Sequence, residues 1–282
     1  MLLSDFIRRS SERLQALYPS PEARGMVLML CEDLLGVRSY THIIEPETVV
    51  PEDRLVELED DVRRLCAGEP VQYVIGEADF FGRRFRVSPA VLIPRPETEL
   101  LVQEAVVRAL ELDRPLRVLD LCTGSGCIAW SIALEVPAAE VIGVDISEAA
   151  LEIAQGQFPG SNPTFIKADV LDPSNAEGLG IFDIVVSNPP YIMESEKALM
   201  RSNVLDYEPS LALFVPDEDP LLFYRAVAGW ASRLLVPGGL GIVEINEQLP
   251  QETAAVFTAA GMKDVSVISD LFGKTRMVRF SK

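Results

Sequence analysis

Apolar residues recur at helical spacing at the start of the chain and at strand spacing further on. Leu3, Phe6, Ile7, Leu14 and Leu17 fall on one face of a helix. Ser20-Pro21-Glu22 reads as a helix start with proline in the opening turn, and Leu30, Cys31, Leu34 and Leu35 carry that second helix to a stop at Gly36. Leu55, Leu58, Val62 and Leu65 mark a third helix that ends near Gly68. Together they predict a small helical bundle over residues 1–68. Residues 69–95 change character: Tyr, Val, Ile, Phe and Gly are frequent, and Phe80-Phe81-Gly82-Arg83-Arg84-Phe85-Arg86-Val87 reads as strands around a turn, a β-hairpin linker. Over residues 96–282 apolar runs alternate with amphipathic stretches. Strands are predicted at 117–121, 141–145, 164–168, 182–187, 239–245, 265–268 and 275–281, with Gly238-Gly239 as an entry turn. Helices are predicted near 97–111, 126–135, 147–157, 219–234 and 248–260. Such alternation gives an α/β domain with a mostly parallel, seven-stranded sheet covered on both faces.

The chemistry is densest at Asn188-Pro189-Pro190-Tyr191, which follows the apolar run Phe182-Asp183-Ile184-Val185-Val186-Ser187. Two prolines end that strand abruptly and stiffen the backbone. An amide side chain, free carbonyls and an aromatic ring then stand at a strand's carboxyl end, where open α/β sheets bind ligands. A planar, weakly nucleophilic amino group needs acceptors for its two N–H bonds and a ring to lie against, so the pattern suits N-methylation. The same four residues also make a plain rigid turn, and four residues alone do not decide between the two.

A second element lies upstream. Arg117-Val118-Leu119-Asp120-Leu121 reads as a strand, Cys122-Thr123-Gly124-Ser125-Gly126 as a loop, and Cys127 to Leu134 as an apolar helix. The glycines permit a tight turn and close approach to a ligand, and the helix start offers unpaired N–H groups to an anion. Asp145 closes the apolar run Val141-Ile142-Gly143-Val144 and stands 21 residues after Gly124. An acidic residue at about that separation is placed to grip ribose hydroxyls. Gly124 to Ala129 also fits the dinucleotide pattern G-x-G-x-x-G/A, which keeps a nicotinamide oxidoreductase in play. Asp120 weighs against it, because a carboxylate beside the loop would repel a pyrophosphate. S-adenosylmethionine carries a sulfonium and an ammonium and no phosphate. The residues thus reach a cofactor-dependent N-methyltransferase, with a non-catalytic binding module as a further alternative.

From about residue 69 onward the chain resembles the HemK/PrmC family, the protein-glutamine methyltransferases that modify peptide-chain release factors. The resemblance is carried by Glu69-Pro70-Val71-Gln72-Tyr73-Val74-Ile75-Gly76, Phe80-Phe81-Gly82, Val91-Leu92-Ile93-Pro94-Arg95-Pro96-Glu97-Thr98-Glu99, the glycine loop, Asn188 to Ile192 and Tyr207-Glu208-Pro209. Asn-Pro-Pro-Tyr alone is shared with adenine methyltransferases of DNA and RNA, which makes adenine N-methylation the second reading. The Arg95 to Glu99 segment is more particular to the glutamine enzymes.

The resemblance implies a Rossmann-like class I methyltransferase domain over residues 96–282, with an antiparallel last strand, and a helical domain that recognises the protein substrate. It implies transfer of a methyl group from S-adenosyl-L-methionine to the glutamine side-chain nitrogen in the Gly-Gly-Gln motif of class 1 release factors, modulating translation termination. Asn188, Pro189, Pro190 and Tyr191 are then the substrate-binding residues. Among them Asn188, Pro189 and Tyr191 are catalytic: the Asn188 side-chain and Pro189 backbone carbonyls accept the amide protons, and Tyr191 packs on the flat amide. Cys122, Thr123, Gly124, Ser125, Gly126, Asp145, Asp169, Val170 and Asn188 are the expected cofactor contacts. Glu97 and Glu99 read as charges at a helix start in preference to an acid pair. Departures from the family pattern fall at Cys122, Gln157, Pro220 and Asn246.

Composition narrows the rest. The 282 residues are 48% hydrophobic and 24% charged, as in an ordinary globular protein. No apolar run reaches the roughly 18 residues of a membrane span. Met1-Leu2-Leu3-Ser4-Asp5-Phe6 lacks a signal pattern, so a cytoplasmic protein with no membrane partner is expected. Cys31, Cys66, Cys122, Cys127 and the single His42 show no metal-type spacing, and no metal is expected. The net charge of −18 argues against stable nucleic-acid binding and favours steering of a basic partner.

Overall fold

The computed structural model describes every residue except Asp113 and Ser161. The chain forms two compact units, one of Met1–Glu77 with Arg201–Tyr207, the other of Ala78–Met200 with Glu208–Lys282.

The first unit is helical: α1 (Leu3–Leu14), α2 (Ser20–Leu35), α3 (Thr41–Ile44), α4 (Glu52–Cys66) and α5 (Val71–Ile75). Leu3, Phe6, Ile7 and Leu14 of α1 pack with Val27, Leu30 and Cys31 of α2 and with Leu58, Val62 and Leu65 of α4. Each such burial stabilises by about 1.5–3 kcal/mol. Leu17 lies beyond the end of α1 and is exposed, although its spacing assigns it to the apolar face. Helix α2 starts at Ser20 without a side-chain cap and ends at Gly36, which takes the left-handed conformation that glycine favours. Residues 71–75 are helical where the composition predicts hairpin. Val71 and Val74 turn into the bundle core, and this burial overrides the strand preference of a Val-Gln-Tyr-Val-Ile run. The returning segment Arg201–Tyr207 is tied in by the Tyr207 hydroxyl, which donates to the Ala67 carbonyl at 3.0 Å, and by an Arg201–Glu22 pair at 2.7 Å.

The second unit opens with β1 (Glu77–Phe80) and β2 (Arg83–Arg86), which pair as a small sheet. Seven strands make the main sheet: β3 (Leu116–Leu121), β4 (Ala139–Asp145), β5 (Thr164–Lys167), β6 (Phe182–Ser187), β9 (Leu235–Glu244), β10 (Lys263–Ser269) and β11 (Thr275–Ser281). Their order is β10-β11-β9-β6-β3-β4-β5, and β7 (Ile192–Met193) pairs separately with β8 (Phe214–Val215). Strand β11 runs antiparallel to its two neighbours, and the pairs from β9 to β5 are parallel. Alternate residues face opposite sides. Val118, Val141, Ile184 and Ile242 lie under α6 (Glu99–Leu112) and α7 (Cys127–Glu135), while Leu119, Ile142, Val185 and Val243 lie under the helices Leu222–Leu234 and Pro250–Ala259. The Gly238-Gly239 pair lies inside β9 and not at its entry. There β9 advances from Leu235 to Leu240 while its partner advances only from Phe182 to Ile184, so the glycines absorb a bulge.

Candidate active site

Strand register sets the site. Leu121 of β3 pairs with Val144 of β4 on one side and Ser187 of β6 on the other. Cys122, Asp145 and Asn188 are therefore level at the carboxyl rim. The chain order reverses at β3, with β4 on one side and β6 on the other, and that is the switch point where open α/β sheets form a crevice.

The glycine loop is a strained turn held from three sides. Cys122, Gly124 and Gly126 all have left-handed backbones, with φ of +61°, +55° and +77°. A non-glycine residue there costs on the order of 1–2 kcal/mol, which Cys122 bears. The Thr123 amide donates to the Val144 carbonyl at 3.0 Å, and the Thr123 hydroxyl donates to Asp120 at 2.5 Å. A side chain at Gly126 would meet the Ala154 Cβ at 3.0 Å and the Phe165 ring at 3.1 Å, so the close fit at the start of α7 requires glycine. Gln157 supplies the third tie, donating to the Ser125 carbonyl at 3.0 Å and to the Arg86 carbonyl at 2.8 Å while accepting from the Arg86 amide at 2.8 Å. Gln157 thus stitches the loop to β2.

Asp145 joins the loop to the next helix, α8 (Glu148–Gln155). Its Oδ2 accepts from the Gly124 amide at 2.8 Å and its Oδ1 from the Ser147 amide at 2.9 Å. Burial raises its pKa while these amides hold it down. Each oxygen keeps a further lone pair, enough for two hydroxyl donors.

Asp120 is not where its neighbourhood in sequence suggests. It is wholly buried beneath the turn and off the cavity wall, where the Thr123 hydroxyl and the Ala129 amide favour its ionised form. Burial lifts its pKa to about 7. The charge argument that set it against a pyrophosphate therefore does not act at the ligand surface, because β3 turns this side chain inward.

One cavity of about 190 Å³ collects most of the predicted residues: Cys122, Thr123, Gly124, Ser125, Asp145, Asp169, Val170, Asn188 and Pro190 all line it. Gly126, Pro189 and Tyr191 do not. Its apolar wall includes Ile146, Ala168, Val170 and Leu171. Asp169 Oδ1 accepts from the Leu171 amide at 2.8 Å, so this carboxylate also shapes its own turn. Cys122 and Cys127 line the cavity as thiols: burial pushes Cys122 well up and Cys127 to about 12.

Asn188 has a partner that no local pattern announces. Its Nδ2 donates to the Thr98 hydroxyl at 3.3 Å, and that hydroxyl donates to Glu244 Oε2 at 2.6 Å. The other oxygen, Oε1, accepts from the Tyr191 hydroxyl at 3.0 Å. Glu244 is buried, and desolvation raises its pKa against the pull of these two hydroxyls. Burial, and next the Glu244 charge, push the Tyr191 phenol well up. Asn246 braces the same turn by donating to the Tyr191 carbonyl at 3.2 Å and to Glu196 at 2.9 Å. Glu97 and Glu99 stay off the cavity: Glu97 faces Arg276 at 3.5 Å and Glu99 accepts from the Phe81 amide at 2.8 Å. Arg95 lines the cavity and meets buried Glu208 at 2.5 Å, which also accepts from the Ile93 amide at 3.1 Å.

Residues 5–76 match the PrmC N-terminal domain, and residues 97–205 match the methyltransferase small domain. A release factor glutamine methyltransferase of Bacteroides thetaiotaomicron is 44% identical over 278 residues, 98% of each chain. The chain belongs to the release factor glutamine methyltransferase family. A second protein of that name, from Flavobacterium psychrophilum, is 35% identical over 283 residues, 99% of each chain. A solved methyltransferase from Pyrococcus furiosus, with a TM-score of 0.50 and 17% identity, covers 82% of this chain and 99% of its own, and shares the fold. Within the family pattern, the Arg95 and Glu208 segments, 113 residues apart, meet in one ion pair. No helix among the described residues is long and apolar enough to cross a membrane.

Proposed function

We propose that this site transfers a methyl group to the side-chain nitrogen of the glutamine in the Gly-Gly-Gln segment of class 1 release factors, with Asn188 and Pro189 holding the acceptor amide. The observation that carries the reading is the polarity of the Asn188-Pro189-Pro190 turn. Neither proline has an N–H, and one of the two Asn188 amino protons is spent on Thr98. The Asn188 side-chain oxygen and the proline carbonyls supply acceptors beside the cavity that Gly124 and Asp145 line. A primary amide nitrogen brings two N–H donors, which such a turn satisfies.

The methyl donor is S-adenosylmethionine, and the residues present suit it. Asp145 has spare acceptor capacity for ribose hydroxyls. The space over Gly124 is open, and Ile146, Val170 and Leu171 give an apolar wall for a flat ring. When bound, this donor supplies a methyl group on a positively charged sulfur. Asn188 Oδ1 and the Pro189 carbonyl would each accept one amide proton of the glutamine. That fixes the nitrogen's orientation and favours the positive charge that builds there as the N–C bond forms. Positioning of this kind supplies up to roughly 7–11 kcal/mol in the best intramolecular cases. The extra proton then leaves the nitrogen to water.

The same reading assigns the partner and the compartment. Release factors are the protein substrate, and the cytoplasm is where the protein acts, with neither membrane nor stable nucleic-acid partners. The net charge of −18 supports this by disfavouring polyanions. Incubation with tritiated S-adenosylmethionine and a purified class 1 release factor tests it. Label on the Gly-Gly-Gln glutamine by mass spectrometry is expected; label on nucleic-acid adenine alone would replace the reading. Asn188→Ala is expected to slow transfer more than about tenfold while cofactor affinity stays nearly unchanged.

A further inference from the structure

We propose that Thr98 and Glu244 are positioning residues that set the polarity of Asn188. By claiming its amino group they turn its carbonyl oxygen toward the acceptor amide. The inference rests on the reading of Asn188 as holder of that amide.

An asparagine side chain is nearly symmetric in shape, so packing alone barely distinguishes its oxygen from its nitrogen. A hydroxyl has one proton. Thr98 gives that proton to Glu244 Oε2 at 2.6 Å, so toward Asn188 it can only accept, and only the Asn188 amino group can donate to it. Glu244 in turn accepts from two hydroxyls, Thr98 and Tyr191, and ends the chain of donors. Thr98 and Glu244 are 2% and 4% exposed, so water does not compete for these bonds. The aromatic residue of the motif thereby gains a second role, since Tyr191 occupies the far oxygen of Glu244 and fixes the carboxylate plane.

The chain of bonds works in one direction only while Glu244 is ionised. A neutral Glu244 would hand a proton to Thr98, which would hand its own to the Asn188 oxygen. The amino group would then face the acceptor amide, donor against donor. The charged and titratable groups that act on Glu244 are Tyr191, Tyr224, Cys127, Glu97 and Arg276; Glu97 favours the neutral form and Arg276 the ionised one. Burial favours the neutral form most. Transfer therefore has an acid limb, with kcat falling as Glu244 takes up its proton.

The test is a cycle of variants, assayed by tritiated methyl transfer to a class 1 release factor, with S-adenosylmethionine affinity from calorimetry and thermal melting as controls. Thr98→Val keeps the shape and removes the hydroxyl. It is expected to lower kcat about tenfold or more, with KM for the factor and cofactor affinity within about threefold, while Thr98→Ser stays within about threefold of the parent. In an Asn188→Ala background the same Thr98→Val change is expected to cost less than about twofold, because Thr98 acts through Asn188. A merely structural threonine would cost the same factor in both backgrounds, and that result overturns the proposal, as does Thr98→Val with unchanged kcat. Glu244→Gln is expected to lower kcat and abolish the acid limb; if it does not fold, the Thr98 and Asn188 pair still decides. Failure of the parent protein to label the factor would instead remove the reading of the site itself.

Discussion

Asp145 is the point at which the glycine loop, the next helix and the cavity share one carboxylate, and Asp145→Asn separates their contributions. The parent accepts one backbone amide on each oxygen, from Gly124 at 2.8 Å and Ser147 at 2.9 Å. Asparagine offers one oxygen, and its amino group must face the other amide. One buried N–H left unpaired costs about 1–3 kcal/mol. Against that, the substitution removes a charge that burial already penalises, as the raised pKa indicates. The two effects offset, and the melting temperature should move by only a few degrees. Binding behaves differently. A hydrogen bond to a charged group is worth about 1.5–3 kcal/mol, and asparagine forfeits one of the two available to ribose hydroxyls. That converts to roughly 10- to 150-fold weaker S-adenosylmethionine binding. Calorimetric titration, paired with circular dichroism to show an intact fold, measures it. A Kd within about threefold of the parent in a folded variant would refute the assignment of this carboxylate to the cofactor.

Three further outcomes are expected. Asp120 has its pKa raised by burial to about 7, so its stabilising contribution is complete below about pH 4 and is lost as pH rises through 7. Asp120→Asn removes that dependence, and urea unfolding should show the variant gaining on the parent from pH 5 to pH 8, by at most about 1.4 kcal/mol per pH unit; a constant difference would show the group does not titrate there. Gly241→Ala would set a Cβ 2.0 Å from the Phe280 ring, which is already stacked on Phe257 at 4.3 Å. Overpacking of about 1–3 kcal/mol should lower the melting temperature by several degrees, and an unchanged melt contradicts the packing described. Gln157→Ala removes three bonds that join the glycine loop to β2, so amide exchange across Gly124 to Gly126 should accelerate, and unaltered protection would mean the loop is held without them.

The strands that build the sheet were legible because each is a local event. Phe182 to Ser187 and Thr275 to Ser281 are apolar or alternating runs bounded by turn residues, and both are strands over those spans. Asn188 and the glycine loop were legible for the same reason: punctuation by glycine and proline marks the ends of strands. The short helix Val71–Ile75 was not, since its residues favour strand and only the core they enter makes them helical. The inward turn of Asp120 was hidden too, because a strand's last residues do not declare which face its carboxylate takes. Least legible was the chain from Asn188 to Glu244. Thr98 and Glu244 are 146 residues apart, and no periodicity connects them. The one available signal was Glu244 itself, an acidic residue closing an apolar strand at the rim that already held Asp145 and Asn188.

A turn whose two carbonyl oxygens hold the acceptor amide, as proposed, also counts. The unmodified amide arrives with two N–H groups, and the product of one transfer has a single one left. A second round would begin with one of its two anchors missing, a deficit of about 0.5–1.5 kcal/mol, and with a methyl group crowding an oxygen. On the proposed reading the lost anchor alone slows a second addition by roughly 2- to 13-fold, which biases the site toward the monomethylated product.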